Sequence, residues 1–317
     1  MRLKVVITDF MGDDAGLEQD LFADAGIASV VAPAPSPDLW IDDARDADAI
    51  LTRHAPITAP VIEQLGRCRI IARYGTGTDN IDIDAAESRS IIVTNVPGYA
   101  TSEVADHGWG MALALWRHLV PFHDRVRAGG WQPETLPPIE RLAGRTLGLI
   151  GFGRIGSAVA RRAIAADMSV IAYDPFLTEA PEDVELLEEP LAVAERANIV
   201  SLHAPLTEDT ARIVDGRFLE RLPEGAVLIN VARGGLLDLE AATAARSTGT
   251  LGGLGLDVFD EEPIAEDHPL RQMSNVILSP HVAYYSLSSL EEAKTRSCEA
   301  IITALSGATP TRRGQPG

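Results

Sequence analysis

Residues 145–175 read RTLGLIGFGRIGSAVARRAIAADMSVIAYDP, and this stretch decides the fold. Residues 146–150 form a short apolar run of the kind that makes a buried parallel strand. Gly151-x-Gly153-x-x-Gly156 follows at once, and residues 157–166 then read as a helix with small and apolar side chains on one face. Residues 168–173 are a second apolar strand, closed by Asp174, which stands 18 positions after Gly156. Strand, glycine turn, helix and strand in that order make a βαβ unit for a dinucleotide. The first glycine permits the tight turn, the second lets the backbone approach a pyrophosphate, and the third lets helix and strand pack closely. The phosphates then meet unpaired N–H groups at the positive end of the helix. Asp174 suits a pair of ribose hydroxyls and repels a 2′-phosphate, which favours NAD over NADP; Arg154 lies near enough to blur that preference.

Outward from this unit, the chain has 317 residues, a length that predicts two domains rather than one core. Its hydrophobic content of 46% with few aromatics fits an α/β protein rich in aliphatic side chains. A formal net charge of −19 argues against nucleic acid or an anionic membrane as partner. A small anionic substrate then needs local positive groups. The two cysteines, Cys68 and Cys298, read as reduced thiols. With no leader and no run of membrane-spanning length, a cytoplasmic location is expected. The seven histidines show no paired spacing, so no metal site is expected.

Before the glycine turn, strands are expected at 3–9, 27–31, 49–52, 69–74 and 91–96, with helices at 16–25 and 60–65. That alternation is a small parallel α/β domain of its own, without a nucleotide-type glycine turn. The acidic segment 38–48 reads as a solvated face. A long helix over 102–117, with Thr101 or Ser102 as its cap, carries apolar and small residues on more than one face. It is therefore deeply buried or part of a subunit contact. Trp109, Trp116 and Trp131 read as packing and dimer-contact groups, and Gly129 to Pro138 as an excursion. After Asp174 helices are expected at 191–197, 216–222 and 239–247, and strands at 199–203, 226–232, 254–259 and 275–279. A final helix over 286–305 returns to the first domain, with a frayed tail after Ser306. The expected architecture is α/β, with two doubly wound parallel sheets. A Rossmann nucleotide domain (99–285) is inserted into a flavodoxin-like substrate domain (1–98 and 286–317), with hinges near 96–101 and 284–288.

In an open parallel sheet, ligands sit beyond the carboxyl ends of the strands. Four groups come just after strand ends: His203 to Pro205, Arg233, Asp257 to Glu262, and His281. Arg233 precedes Gly234-Gly235, and its planar fork suits bidentate capture of a carboxylate or a carboxylate and a carbonyl. An arginine there could equally cap a helix or bridge to an acid. His281 can give a proton to a carbonyl oxygen and take one from a hydroxyl. Glu262 is a suitable partner that orients the ring and favours its charged form. No nucleophile elbow supports a Ser/His/Asp alternative. In the first domain, residues 73–80 (RYGTGTDN) follow a strand. Their glycines expose backbone N–H groups fit for a carboxylate, or else make an ordinary strand-to-helix turn.

The segments ARYGTGTDNIDIDAA, NVPGYATSEVADH, GLIGFGRIG, VSLHAPLTEDT, LINVARGGLLD, GLDVFDEEP and LSPHVAYYS, in that order, resemble the D-isomer-specific 2-hydroxyacid dehydrogenase family over nearly the whole chain. The resemblance implies an NAD-dependent enzyme interconverting a small anionic 2-oxo acid and its D-2-hydroxy acid. It implies that Arg233 binds substrate, that Glu262 partners the histidine and that His281 is the general acid/base. Gly75, Thr76 and Gly77, with Arg73, match the substrate-carboxylate loop, and Tyr284 stands on the aromatic wall of the pocket. Arg154, Ile155, Asp174, Pro205, Thr210, Ala232 and Asp257 match positions that line NAD, beside Gly151, Gly153 and Gly156. A homodimer through the long helix and the excursion after it is implied as well.

Within the family, DNIDIDAA, NVP and HVAYYS are most similar to the C-terminal-binding-protein branch, which includes dehydrogenase-like corepressors. That branch carries Trp where this chain has Tyr284. An NAD(H)-sensing binding protein is therefore the alternative from another class. A third is a dehydrogenase of a phosphate- or phosphonate-bearing 2-hydroxy acid, with Arg53, His54 and Arg73 adding positive charge. Long phosphoglycerate dehydrogenases carry an extra C-terminal domain not expected here. Phosphite dehydrogenases have a lysine near the loop where this chain has Arg73 and Tyr74.

Overall fold

Short apolar β-branched runs set the strands of both halves of the chain. In the computed structural model, residues 2–32, 34, 36–132 and 138–310 are described. The chain divides into two compact units, Met1–Ala100 with Tyr285–Gly317, and Thr101–Tyr284. The boundaries thus fall at 100/101 and 284/285, where 98/99 and 285/286 were expected. Part of the Gly129 to Pro138 excursion (133–137) and the end of the tail (311–317) lie outside the described residues.

Unit 1 holds β1 (Lys4–Ile7), β2 (Ala28–Val31), β3 (Ala49–Thr52), β4 (Ile70–Arg73) and β5 (Ile92–Thr94). They form one parallel sheet in the order β2-β1-β3-β4-β5, a doubly wound arrangement of the flavodoxin type. α1 (Gly16–Asp24), α2 (Ile41–Ala44), α3 (Ala59–Gln64) and α4 (Ile83–Ser88) connect the strands. The segment 38–48 departs from the solvated face expected of it. Trp40, Ile41 and Ala44 are buried in the core. Asp48 is also buried, because its carboxylate accepts bonds from the Lys4 N–H (3.0 Å) and from Arg67 Nη2 (2.9 Å). Cys68 and Cys298 are buried free thiols, and burial pushes Cys68 up to about 12.

Unit 2 opens with α5 (Thr101–Trp116) and α6 (Leu119–Arg127). Thr101 and Ser102 lie inside the first turn of α5 rather than capping it. Seven parallel strands follow: β6 (Thr146–Ile150), β7 (Ser169–Tyr173), β8 (Val184–Leu187), β9 (Ile199–Leu202), β10 (Ala226–Asn230), β11 (Leu251–Leu256) and β12 (Val276–Leu278). Their order, β12-β11-β10-β9-β6-β7-β8, reverses direction between β6 and β9, as in a Rossmann sheet. α7 (Arg154–Ile164), α8 (Pro190–Arg196), α9 (Gly216–Glu220) and α10 (Leu239–Thr248) link them. α11 (Leu287–Leu305), opened by a capping box at Ser286, belongs to unit 1.

Besides α2 and α4, for which no helix was expected, three elements differ from expectation for a local reason. β8 went unforeseen because VELL is an edge strand, paired only to β7, with Val184 as its one buried residue. α6 fills the stretch between the long helix and the expected excursion, where no helix was expected, and none of its residues is buried. β11 begins at Leu251, not 254, although LGG reads as a turn. Its glycines make room for α5: a Cβ on Gly255 would stand 3.2 Å from Leu115 Cδ1 and 3.2 Å from Met111 Sδ. The same approach buries Val104, Ala105, Gly108, Met111, Ala112 and Leu115, so α5 is a core helix of its unit. No helix among the described residues is long and apolar enough to cross a membrane.

Candidate active site

The glycine turn closes as its sequence requires. Gly151 has φ +93°, a left-handed conformation, and a Cβ there would stand 2.6 Å from the Ala204 nitrogen. A Cβ on Gly156 would strike the Gly151 carbonyl oxygen. Gly153, by contrast, is exposed, caps α7, and would meet nothing within 4 Å. The turn is thus packed shut behind and open in front, where Arg154 and Ile155 begin α7. That is a cradle for a pyrophosphate, and the residues fit a dinucleotide. Asp174, at the end of β7, accepts from the Phe152 N–H (2.8 Å) and the Phe176 N–H (3.0 Å). Its carboxylate is therefore fixed beside the turn, with lone pairs left for hydroxyl donors. On the next strand across, Thr210 Oγ1 donates to the Pro205 carbonyl (2.6 Å) and accepts from the Thr207 N–H (2.8 Å), which folds the loop after β9. His203, between strand and loop, lies 2.9 Å from Ser201 Oγ. Burial pushes its imidazole down to about 3, so it is neutral at physiological pH.

Arg233 and His281 stand on loops held by polar side chains at strand ends. Asn230, the last residue of β10, is fully buried. Its Oδ1 accepts from the Ala232 N–H (3.1 Å) and its Nδ2 donates to the Arg233 carbonyl (2.8 Å). This fixes the turn that carries the guanidinium, whose Nη1 donates to the Ala232 carbonyl (2.7 Å). A Cβ on Gly234 would strike the Phe259–Asp260 backbone, so the Arg233 turn lies directly on the loop that carries Glu262.

Asp257, which follows β11, does the same for His281. Its buried carboxylate accepts from the N–H groups of Val282 (2.9 Å) and Ala283 (2.9 Å), and its carbonyl accepts from the His281 N–H (2.8 Å). His281 has φ +55°, a left-handed conformation costing about 1–2 kcal/mol outside glycine. The Asp257 bonds hold it there. His281 Nδ1 lies 2.8 Å from Glu262 Oε2. A carboxylate can only accept, so Nδ1 carries the proton, and Nε2 is left to exchange one with a ligand.

The structure therefore brings Glu262 and His281 into contact and places Arg233 on the adjoining turn, all within unit 2. Ala232 and Asp257 sit in the same framework, and Tyr284 is the last residue of this unit. Arg73, Gly75, Thr76 and Gly77 belong to unit 1. There the Val96 N–H donates to the Gly75 carbonyl (2.8 Å), Asn95 Nδ2 to the Thr76 carbonyl (2.6 Å) and Arg73 Nε to the Arg53 carbonyl (3.1 Å). Asp9 takes the N–H groups of Arg53 (2.7 Å) and His54 (2.5 Å). Asn230 and Asp9 escaped the sequence reading. Their signal is a polar residue ending an apolar strand, as in AVLIN and KVVITD.

Comparison with known proteins shows the family. Residues 109–283, inside unit 2, match the model of the D-isomer specific 2-hydroxyacid dehydrogenase, NAD binding domain. The chain is 38% identical to the glyoxylate reductase of Korarchaeum cryptofilum over 84% of its own length and 81% of that protein. It is 34% identical to the D-3-phosphoglycerate dehydrogenase of Methanocaldococcus jannaschii over 96% of its length, but spans only 58% of that protein. The D-lactate dehydrogenase of Aquifex aeolicus, solved with NAD and lactic acid, superposes with a TM-score of 0.86 at 28% identity, covering 96% of each chain. The chain belongs to the D-isomer-specific 2-hydroxyacid dehydrogenase family, NAD-dependent oxidoreductases of 2-oxo and 2-hydroxy acids.

Proposed function

We propose that Arg233, Glu262 and His281 carry the interconversion of a small 2-oxo acid and its D-2-hydroxy acid in this chain. Gly151, Gly153, Arg154, Ile155, Gly156, Asp174, Pro205, Thr210, Ala232 and Asp257 would hold the nicotinamide dinucleotide, whose reduced form would provide the hydride for C2 and whose oxidised form would take it in the opposite direction. Arg233 binds the substrate carboxylate and polarises the carbonyl. His281 Nε2 gives its proton to the carbonyl oxygen as C2 is reduced, and Glu262 steadies the imidazolium. The ring then regains a proton from solvent, which its side chain reaches at 35% exposure. The observation that carries this reading is the 2.8 Å Nδ1–Glu262 bond, which leaves Nε2 as the reactive nitrogen. Substrate contact is also assigned to Arg73, Gly75, Thr76, Gly77 and Tyr284.

The test is NADH consumption with a panel of 2-oxo acids, including one bearing a terminal phosphate. Turnover on at least one, with NADH preferred to NADPH because of Asp174, is expected. Tight NADH binding without turnover on any acid would instead favour the NAD(H)-sensing, corepressor-like alternative. A phosphate-bearing substrate is supported by one further arrangement. The Asp9 bonds and the Arg73–Arg53 bond gather Arg53, His54 and Arg73 at the carboxyl end of the unit 1 sheet. If that cluster selects the substrate, the phosphorylated acid gives the highest kcat/KM.

A homodimer through α5, α6 and the residues after them is part of the same reading. Leu119, Val120, Val126 and Trp131 are exposed at 55%, 40%, 53% and 81%, an apolar set that a monomer would leave in water. Light scattering is expected to give twice the 33.9 kDa chain mass, and Val126→Glu with Trp131→Glu to give one chain mass. A parent protein that elutes as a monomer at micromolar concentration would remove this assignment.

A further inference from the structure

The loop that carries His281 is tied to a helix at a point no motif marks. Ser279 Oγ lies 2.5 Å from Asp257 Oδ1 and 2.9 Å from His107 Nε2 on α5. His107 Nε2 is itself 3.7 Å from the same carboxylate oxygen. The direction of these bonds follows from proton counting. The Asp257 carboxylate only accepts, so the single hydroxyl proton of Ser279 points to it. Toward His107 the Ser279 oxygen can then only accept, so His107 carries a proton on Nε2 and donates it. The chain runs one way: His107 Nε2–H to Ser279 Oγ–H to Asp257.

Asp257 is 1% exposed and is the group whose oxygens hold the backbone of residues 281–283. Its carboxylate must therefore be fixed in rotation as well as in place. The Val282 N–H holds Oδ1 and the Ala283 N–H holds Oδ2, and the Ser279 hydroxyl is a second donor on Oδ1. His107 in turn stands on a rigid element: its neighbours Val104, Ala105, Gly108 and Met111 are buried, and a Cβ on Gly108 would lie 3.3 Å from Val231 Cγ2. The left-handed backbone at His281 is thus referenced, through three polar groups, to the packed helix α5.

We propose that His107 and Ser279 are positioning residues for His281, acting through Asp257. The assignment rests on His281 being the acid/base group. Losing Ser279, or the His107 N–H that orients its hydroxyl, removes the side-chain donor on the Oδ1 that also holds the Val282 N–H, which loosens the loop and lets the His281 backbone relax toward its preferred conformation. The imidazole then misses the substrate oxygen while the dinucleotide turn is untouched.

Four single variants decide it: His107→Leu, His107→Gln, Ser279→Ala and His281→Asn, each assayed for kcat, substrate KM, NADH dissociation constant and Tm. His107→Leu and Ser279→Ala are expected to lower kcat about tenfold or more, with KM and NADH affinity within about twofold and Tm little changed. His107→Gln keeps an N–H where Nε2 stands and is expected to recover most of kcat. The primary isotope effect with 4-deuterated NADH is expected to rise in the two damaged variants, because the chemical step has slowed. Unchanged kcat in both His107→Leu and Ser279→Ala, with His281→Asn inactive, would overturn the positioning role and leave the acid/base assignment standing. So would equal losses in kcat, NADH affinity and Tm, which mark a merely structural role. Unchanged kcat in His281→Asn would overturn both. Ser279→Ala removes a single oxygen and keeps the test decisive if the helix variant folds poorly.

Discussion

Replacing His281 with Asn is expected to lower kcat by about 10²- to 10⁴-fold, the range a positioned general acid contributes, while NADH still binds. The reason lies in which atoms change. Asn tolerates the left-handed backbone that His281 adopts at φ +55°, so the loop built on Asp257 keeps its course. Its amide can still bond to Glu262, but no group remains that both donates a proton and takes it back near neutral pH. The dinucleotide turn at 151–156 lies on a different strand end and is unaffected. The measurement is steady-state kinetics beside fluorescence titration with NADH. A variant that keeps kcat within threefold would remove His281 from the chemistry, whatever its geometry.

The second large effect is expected at Arg233. Arg233→Lys keeps the charge but replaces a planar fork by a point donor, so two parallel bonds to a carboxylate become one. Losing one hydrogen bond to a charged group costs about 1.5–3 kcal/mol, or roughly 10- to 150-fold in kcat/KM. Most of the loss is expected in KM for the 2-oxo acid, because the carboxylate is bound in the ground state too; the share lost in kcat reports carbonyl polarisation. Asn230 holds the turn through the backbone of residues 232 and 233, so the fold around position 233 should survive the change. Equal kcat/KM in the lysine variant would mean that the substrate's carboxylate is bound elsewhere.

These two residues also show how far the sequence could be read. GLIGFGRIG followed by an acid at the end of the next strand predicts a dinucleotide turn, and a turn with open and closed faces is what forms. Local sterics dictate it: Gly151 and Gly156 are required by atoms a few residues away or at the end of the adjoining strand, while Gly153 stands on the open face. The order of Arg, Glu and His after successive strands is likewise legible, since side chains leaving the carboxyl ends of one parallel sheet must converge. VELL was missed because an edge strand needs apolar residues on one side only, and here even those are few. LGGLGL was misplaced because its glycines answer to Met111 and Leu115 on a helix more than a hundred residues earlier. Asp48 reads as surface in the sequence because the partners that let it be buried, Lys4 and Arg67, are distant along the chain.

By itself, then, the amino-acid order determined the two parallel sheets and the cofactor class, and pointed to the residues proposed to exchange a proton and grip a carboxylate. Those properties come from periodicity and from contacts within one βα unit. Only the tertiary structure decided which nitrogen of His281 meets Glu262, that Asn230 and Asp257 hold the turns carrying Arg233 and His281, and that Ser279 and His107 link Asp257 to α5. The Asn230 bonds close a turn three residues long, and the others join groups from different strand ends or helices. In those others donor and acceptor are matched by packing, which no spacing along the chain encodes.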